Sequence, residues 1–188
     1  MPAYLAILAL GLMIVIVVSR VVLLYRHGIE AMSFGKTHKT DFLIPPFALF
    51  YFYLILAHAF DLPTPAHSVL FQSGLLAWIG VAFCLVGPLL MLWSVLSFGR
   101  SFRVGIDAEH PGGLITTGAF GFSRNPIYVA FACLLLGQFL VFPNWVLLVA
   151  LGAGTWLFHR QVLREEAYLK GHYGEEYREY CKRVRRYL

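Results

Sequence analysis

Apolar runs long enough to cross a bilayer follow one another along almost the whole chain, and this pattern constrains the fold more than any motif does. A membrane-crossing helix takes about 20 residues, and within hydrocarbon only a helix or a closed barrel satisfies its own backbone N–H and C=O groups. Five helical runs can be read: Ala3 to Tyr25, Phe42 to Phe60, Ser68 to Phe98, Asn125 to Phe142, and Trp145 to Arg160. Composition agrees with a membrane chain, since 59% of the 188 residues are hydrophobic, 13% are charged and the mean hydropathy is +0.70, where soluble domains keep roughly a quarter charged. The runs leave no room for a separate soluble domain. Residues 1–188 therefore read as one all-α unit, an integral membrane bundle of five transmembrane helices. The first run lacks a basic flank and a small-residue cleavage site, so it reads as a retained span and not a removable signal.

Punctuation within the runs gives local expectations. Gly87-Pro88 predicts a kink in the third, because proline removes a backbone donor and crowds the preceding turn. Pro45 and Pro46 sit at the start of the second run, where a helix tolerates proline. Only Pro143-Asn144 separates the last two runs, which predicts a tight antiparallel hairpin. Gly152 and Gly154 predict close helix packing and Gln138 a bond to a neighbouring helix. Cys84, Cys133 and Cys181 have no paired spacing and read as free thiols.

Charge placement sets the orientation. Arg20, Arg26, Lys36 and Lys39 lie at or after the first run, Arg100, Arg103 and Arg124 between the third and fourth, and every later Lys and Arg from Arg160 onward. The loops on the other side, from Asp61 and at Pro143-Asn144, carry none, so the positive-inside rule places the N-terminus outside and the C-terminus in the cytoplasm. The net charge of +5 thus records topology and gives no sign of a nucleic-acid partner. The polar segments from Gly99 to Asn125 and from Arg160 to Leu188 meet at this cytoplasmic face, where a reaction site belongs.

Two constellations stand out there. In Gly118-Ala-Phe-Gly-Phe-Ser-Arg-Asn-Pro-Ile-Tyr128, Asn125 suits an N-cap and Pro126 the first helical position, while Arg124 and Tyr128 suit the headgroup region. The glycines Gly112, Gly113, Gly118 and Gly121, with Phe120 and Phe122 between them, equally suit a backbone that approaches a ligand, with a helix N-terminus offering N–H groups to an anion. Both readings stand. In the second, Arg160 and Arg164 lie near Glu165 and Glu166, which suits ion pairing along a helix end as well as a site. The tail then places Tyr173, Tyr177, Tyr180, Val184 and Tyr187 on one face, predicting an amphipathic cytoplasmic helix against anionic membrane lipid. His110, His159 and His172 have no ligand spacing, so no metal is expected.

Taken in order, the Gly118 to Tyr128 block, a two-span hairpin and the block from Glu165 to Val184 resemble the isoprenylcysteine carboxyl methyltransferase family, in a bacterial form. The first block of that family reads approximately Gly-x-Tyr-x-x-x-Arg-His-Pro-x-Tyr, matched by Gly118, Phe120, Arg124, Asn125, Pro126 and Tyr128, with Phe for Tyr and Asn for His. The second block is matched by Glu165, Glu166, Leu169, Gly174, Tyr177 and Tyr180. The resemblance implies S-adenosylmethionine held between the blocks, in a cofactor region of about 98–188 that includes Gly118, Phe120, Arg124, Asn125, Pro126, Tyr128, Glu165 and Tyr177. It implies catalytic roles for Arg160, Glu165 and Glu166, a lipophilic or prenylated acceptor, and a place in the bacterial inner membrane. A phospholipid N-methyltransferase, an NADPH-dependent membrane reductase and a non-enzymatic scaffold are the alternatives.

Overall fold

A computed structural model describes residues 1–26, 44–60, 62, 69–98 and 113–188. Its elements run α1 (Pro2–Arg26), α2 (Ile44–Ala59), α3 (Gly74–Phe98), α4 (Ala119–Phe122), α5 (Pro126–Val141) and α6 (Trp145–Arg183). The all-helical membrane bundle is borne out: α1, α3 and α6 are long and apolar enough to cross a bilayer, and shorter apolar helices cover Pro46–Ala57 and Pro126–Val141. Most boundaries fall within two residues of the expected runs. The third helix starts at Gly74 and not at Ser68, because the chain before it is extended: Val69 bridges to Asn144, and the Leu70 N–H donates to the Pro143 carbonyl at 2.8 Å. Lys36, Lys39, Arg100, Arg103, His110, Gly112 and most of the loop from Asp61 lie outside the described residues.

The centre of the bundle is the contact between α3 and α5, where small residues bring the two backbones together. A Cβ placed on Gly137 would lie 2.6 Å from the Gly80 carbonyl oxygen and 2.7 Å from the Cys84 nitrogen, and one on Gly87 would lie 2.9 Å from the Ala130 carbonyl oxygen. Between membrane helices, where lipid is as apolar as leucine, such close packing is what drives association. On α1, buried Ala6, Ala9, Leu10 and Met13 repeat at helical spacing and face this core. Gln138 on α5, fully buried, donates to the Ala6 carbonyl at 2.7 Å, which is the interhelical bond its sequence position implied. Gly154 packs as expected, its face closed by Leu135 and Phe47, whereas Gly152 faces open space.

The hairpin into α6 is held by Asn144, whose side chain accepts from the Leu147 N–H at 2.9 Å and donates to the Phe142 carbonyl at 3.1 Å. From there α6 departs from the sequence reading. It continues past Arg160 to Arg183 as one element, interrupted only at Gly174, where φ is 53° and ψ is −116°. This turn sends the tail back beside α4. Tyr177 and Tyr180 are each only 3% exposed, so the tyrosine face expected to lie on lipid is packed against the protein, and Val184 and Tyr187 fall beyond the helix end. The physical reason is that a Gly-permitted reversal gives the aromatic face a protein partner to bury against, which period and charge pattern alone cannot distinguish from lipid.

Candidate functional site

The site is built where the start of α5, the middle of α6 and the returning C-terminal segment meet. Gly118 prepares it. With φ 63° and ψ −131° it occupies a region that side chains avoid, and an added Cβ would lie 2.3 Å from Ser97 Oγ. That close approach lets the Ala119 N–H donate to Ser97 Oγ at 3.0 Å, while the serine itself donates to the Trp93 carbonyl at 2.8 Å. The short turn α4 is thereby fixed to the end of α3, with the buried Phe120 ring set edge-on to Phe98 at 4.8 Å between centroids. The structure assigns Gly118 to this backbone turn.

Asn125 occupies the N-cap position before Pro126, yet its side chain does not cap α5. The Asn125 carbonyl accepts from the N–H groups of Tyr128 and Val129, both at 3.1 Å. The amide is committed elsewhere: Nδ2 donates to Glu166 Oε1 and to the Arg186 carbonyl, both at 3.1 Å. Glu166 collects the remaining charge. Arg124 reaches its Oε1 at 3.2 Å, and Arg186 reaches its Oε2 through Nε at 2.9 Å and through a terminal guanidinium nitrogen at 2.8 Å. Charge-assisted bonds of this kind are roughly twice as strong as neutral ones. Here Glu166 and Arg124 each retain only 11% of their side-chain exposure. The bond to Glu166 raises the Arg186 guanidinium above its usual pKa, against the opposing effect of desolvation.

Glu165 stands beside this cluster with different partners. Tyr128 Oη donates to Glu165 Oε1 at 2.6 Å and Gln161 Nε2 donates to the same oxygen at 3.2 Å. Behind them Phe158 contacts both Tyr128 and Phe131. The returning tail closes the other side: Tyr180 Oη donates to the Phe120 carbonyl at 2.6 Å, the Arg124 N–H donates to the Arg185 carbonyl at 2.9 Å, and Tyr187 Oη shares a 2.7 Å hydrogen bond with His159 Nδ1. Burial pushes the Tyr180 hydroxyl up to about 12, with Arg124 pulling it down and Cys181 and Glu166 adding to the rise. Burial raises Tyr177 as well, helped by the negative charge of Glu166.

A family model described as phospholipid methyltransferase matches residues 75–176, more than half of the chain, spanning α3, α5 and α6 up to just past Gly174. The chain belongs to the phospholipid methyltransferase family. Among curated relatives, it is 30% identical over 113 residues to protein-S-isoprenylcysteine O-methyltransferase B of Arabidopsis thaliana, covering 57% of each chain. It is 31% identical over 108 residues to form A of the same plant, with 56% of this chain and 55% of that one covered. The Xenopus laevis protein-S-isoprenylcysteine O-methyltransferase is 29% identical over 128 residues, 66% of this chain and 44% of that protein. The match thus spans about half the length of these relatives, and it bears out the family resemblance read from the two motif blocks. No solved structure matches the chain.

Within this family member the two blocks do converge. Arg124, Asn125 and Tyr128 of the first meet Glu165 and Glu166 of the second, while buried Pro126 starts α5 and buried Tyr177 lines the returning tail. Arg160 is placed apart from these bonds. Its guanidinium lies 5.0 Å from the centre of the exposed Trp156 ring, and its Nε is buried with no hydrogen-bond partner among the described residues. Glu166 forms its ion pairs across to Arg124 and Arg186. Sequence reasoning missed Arg186 and Gln161. Gln161 stands one helical turn before Glu165, a spacing that could have flagged it; Arg186 sits in a basic run that reads equally well as solvated.

Proposed function

We propose that the chain is an S-adenosylmethionine-dependent methyltransferase acting on a lipophilic acceptor of the prenylcysteine carboxylate class, with its site at the cytoplasmic face of a bacterial inner membrane. The carrying observation is the direct bonding of Asn125 to Glu166 and of Tyr128 to Glu165, which joins the two blocks of the family pattern in one place. The names of the relatives support the acceptor class, and the one-sided distribution of Lys and Arg supports the orientation.

The residues present suit the cofactor. The Glu165 carboxylate and the aromatic rings suit a cation, and Arg124, whose Nε is buried without a partner among the described residues, suits a carboxylate. Arg124, Asn125, Glu165, Glu166 and Tyr128 would hold it, with Phe120, Pro126, Tyr177 and the Gly118 turn forming the walls. Bound there, S-adenosylmethionine supplies a methyl group on a positively charged sulfur. The protein's part is alignment and exclusion of water, and holding two reactants in place is worth about 7–11 kcal/mol of the barrier. For a carboxylate acceptor no base is needed, and Arg160, held on the exposed Trp156, would orient the acceptor by charge. For a thiol or amine acceptor Glu165 or Glu166 would take the proton.

The description of the family model names phospholipids, which makes methyl transfer to a phospholipid amine the alternative to test, although the named relatives favour the prenylcysteine reading. Calorimetry of the purified protein with S-adenosylhomocysteine and with NADPH tests the cofactor, and a panel of prenylcysteine, prenyl thiol and phosphatidylethanolamine tests the acceptor. Binding of S-adenosylhomocysteine and turnover of prenylcysteine are expected, with Arg160→Ala weakening carboxylate acceptors most. Binding of NADPH alone would support a reductase, and binding of neither by folded protein a scaffold; either result overturns the proposal.

A further inference from the structure

We infer that Arg186 is a positioning residue of the cofactor site, one that sets the Glu166 carboxylate and the Asn125 amide from a C-terminal segment outside both motif blocks. The inference rests on the methyltransferase reading above. Arg186 acts through two different parts of itself. Its guanidinium takes Glu166 Oε2 with two bonds, at 2.8 and 2.9 Å, which leaves Oε1 to Asn125 and Arg124. A carboxylate has about four acceptor positions, and these four contacts fix its rotation. The Arg186 carbonyl meanwhile accepts from Asn125 Nδ2 at 3.1 Å and from Ser123 Oγ at 3.4 Å. An amide nitrogen has two hydrogens to give; Glu166 and the Arg186 carbonyl take one each, so the direction of the Asn125 oxygen follows from where Arg186 stands.

A purely mechanical role, pinning the tail, does not need the guanidinium. Tyr180 on Phe120, Arg185 on the Arg124 N–H, and Tyr187 on His159 already hold the segment on either side of it, and the carbonyl bonds of residue 186 survive truncation to alanine. What alanine removes is the paired contact with Glu166.

The experiment uses the full chain in lipid nanodiscs, with S-adenosylhomocysteine affinity read by calorimetry, KM and kcat read with prenylcysteine, and thermal midpoint as the control for folding. Arg186→Ala is expected to weaken S-adenosylhomocysteine about tenfold, the scale of one lost charge-assisted contact, and to raise KM for S-adenosylmethionine similarly. The kcat at saturation and the thermal midpoint should stay close to those of Arg178→Ala, a control on an exposed pair with Glu175. Added guanidinium ion should restore part of the affinity. In a Glu166→Gln background the Arg186→Ala change should have no further effect. Unchanged affinity of Arg186→Ala, a loss of equal size in the Glu166→Gln background, or a loss that tracks the thermal midpoint and resists guanidinium would each overturn the inference. If the unaltered protein itself fails to bind S-adenosylhomocysteine, the methyltransferase reading is overturned and this inference with it, a result distinct from binding that Arg186→Ala leaves untouched.

Discussion

Gly171 and Gly174 lie three residues apart on α6, and a Cβ on either would meet no atom within 4 Å. Packing therefore contributes nothing to either substitution, and backbone conformation alone sets the sign. Gly171 is exposed and helical, so Gly171→Ala should stabilise by about 0.4–1 kcal/mol through reduced freedom of the unfolded chain. Gly174 has φ 53° and ψ −116°, and Gly174→Ala must hold an L side chain in that region at a cost of about 1–3 kcal/mol. The strained variant can escape by straightening α6, which gives up the Tyr180, Arg185 and Arg186 contacts of the tail and leaves the transmembrane packing intact. At 1.4 kcal/mol per decade, the undocked population should rise about 5- to 150-fold. Hydrogen exchange followed by mass spectrometry in detergent micelles reads this directly: amides of residues 175–188 should exchange faster in Gly174→Ala, those of α3 and α5 should not, and Gly171→Ala should protect. Equal exchange in the two variants, or acceleration spread evenly over the bundle, would refute the assignment of the reversal to Gly174.

Gly137→Ala places a methyl 2.6 Å from the Gly80 carbonyl oxygen, so the α3 and α5 backbones must separate at about 1–3 kcal/mol, and a thermal midpoint equal to that of the unaltered protein would contradict that packing. Gln138→Leu removes the bond to the Ala6 carbonyl and should cost about 0.6 kcal/mol, at most about 1.7, measured as a shift of the same midpoint; a gain would show the amide to be a liability. Tyr180 carries a pH prediction. Its hydroxyl is held at about 12 against a usual 10, so the folded state prefers the neutral phenol: its contribution is whole below pH 10 and is lost as pH rises through 12. Tyrosinate absorbance should therefore lose one of its late-titrating groups in Tyr180→Phe, a change costing about 1 kcal/mol at neutral pH, with the buried Tyr177 remaining as another; loss of a group titrating near 10 would show the hydroxyl to be exposed.

How much of this was legible in the sequence depends on which interaction fixes each part. The spans were readable because hydrocarbon admits so few backbone solutions, and the α5–α6 hairpin because Pro143-Asn144 is too short for any other connection. That hairpin then decides most of the site. Once α5 and α6 are antiparallel neighbours, Asn125 and Tyr128 at one end must stand beside Glu165 and Glu166, and the bonds at 3.1 and 2.6 Å follow. What composition could not supply was the target of each side chain. Asn125 has the residue type and position of a helix cap, yet in the folded chain its side chain leaves α5 uncapped and the amide goes to Glu166.

The C-terminal segment was opaque for a different reason. Gly171 and Gly174 are the same residue in the same kind of polar, tyrosine-bearing sequence, and nothing in hydropathy or charge says that one continues the helix and the other reverses it. The whole inward placement of Tyr177, Tyr180 and Arg186 hangs on that one difference in φ. With Gly174 helical, the tyrosine face would leave the bundle and the membrane-surface reading would hold. With φ at 53°, the same face closes on α4, and Arg186 arrives at Glu166 as the second guanidinium. Glycine at this position thus meets a backbone requirement, and the side chains that depend on it lie up to twelve residues further on.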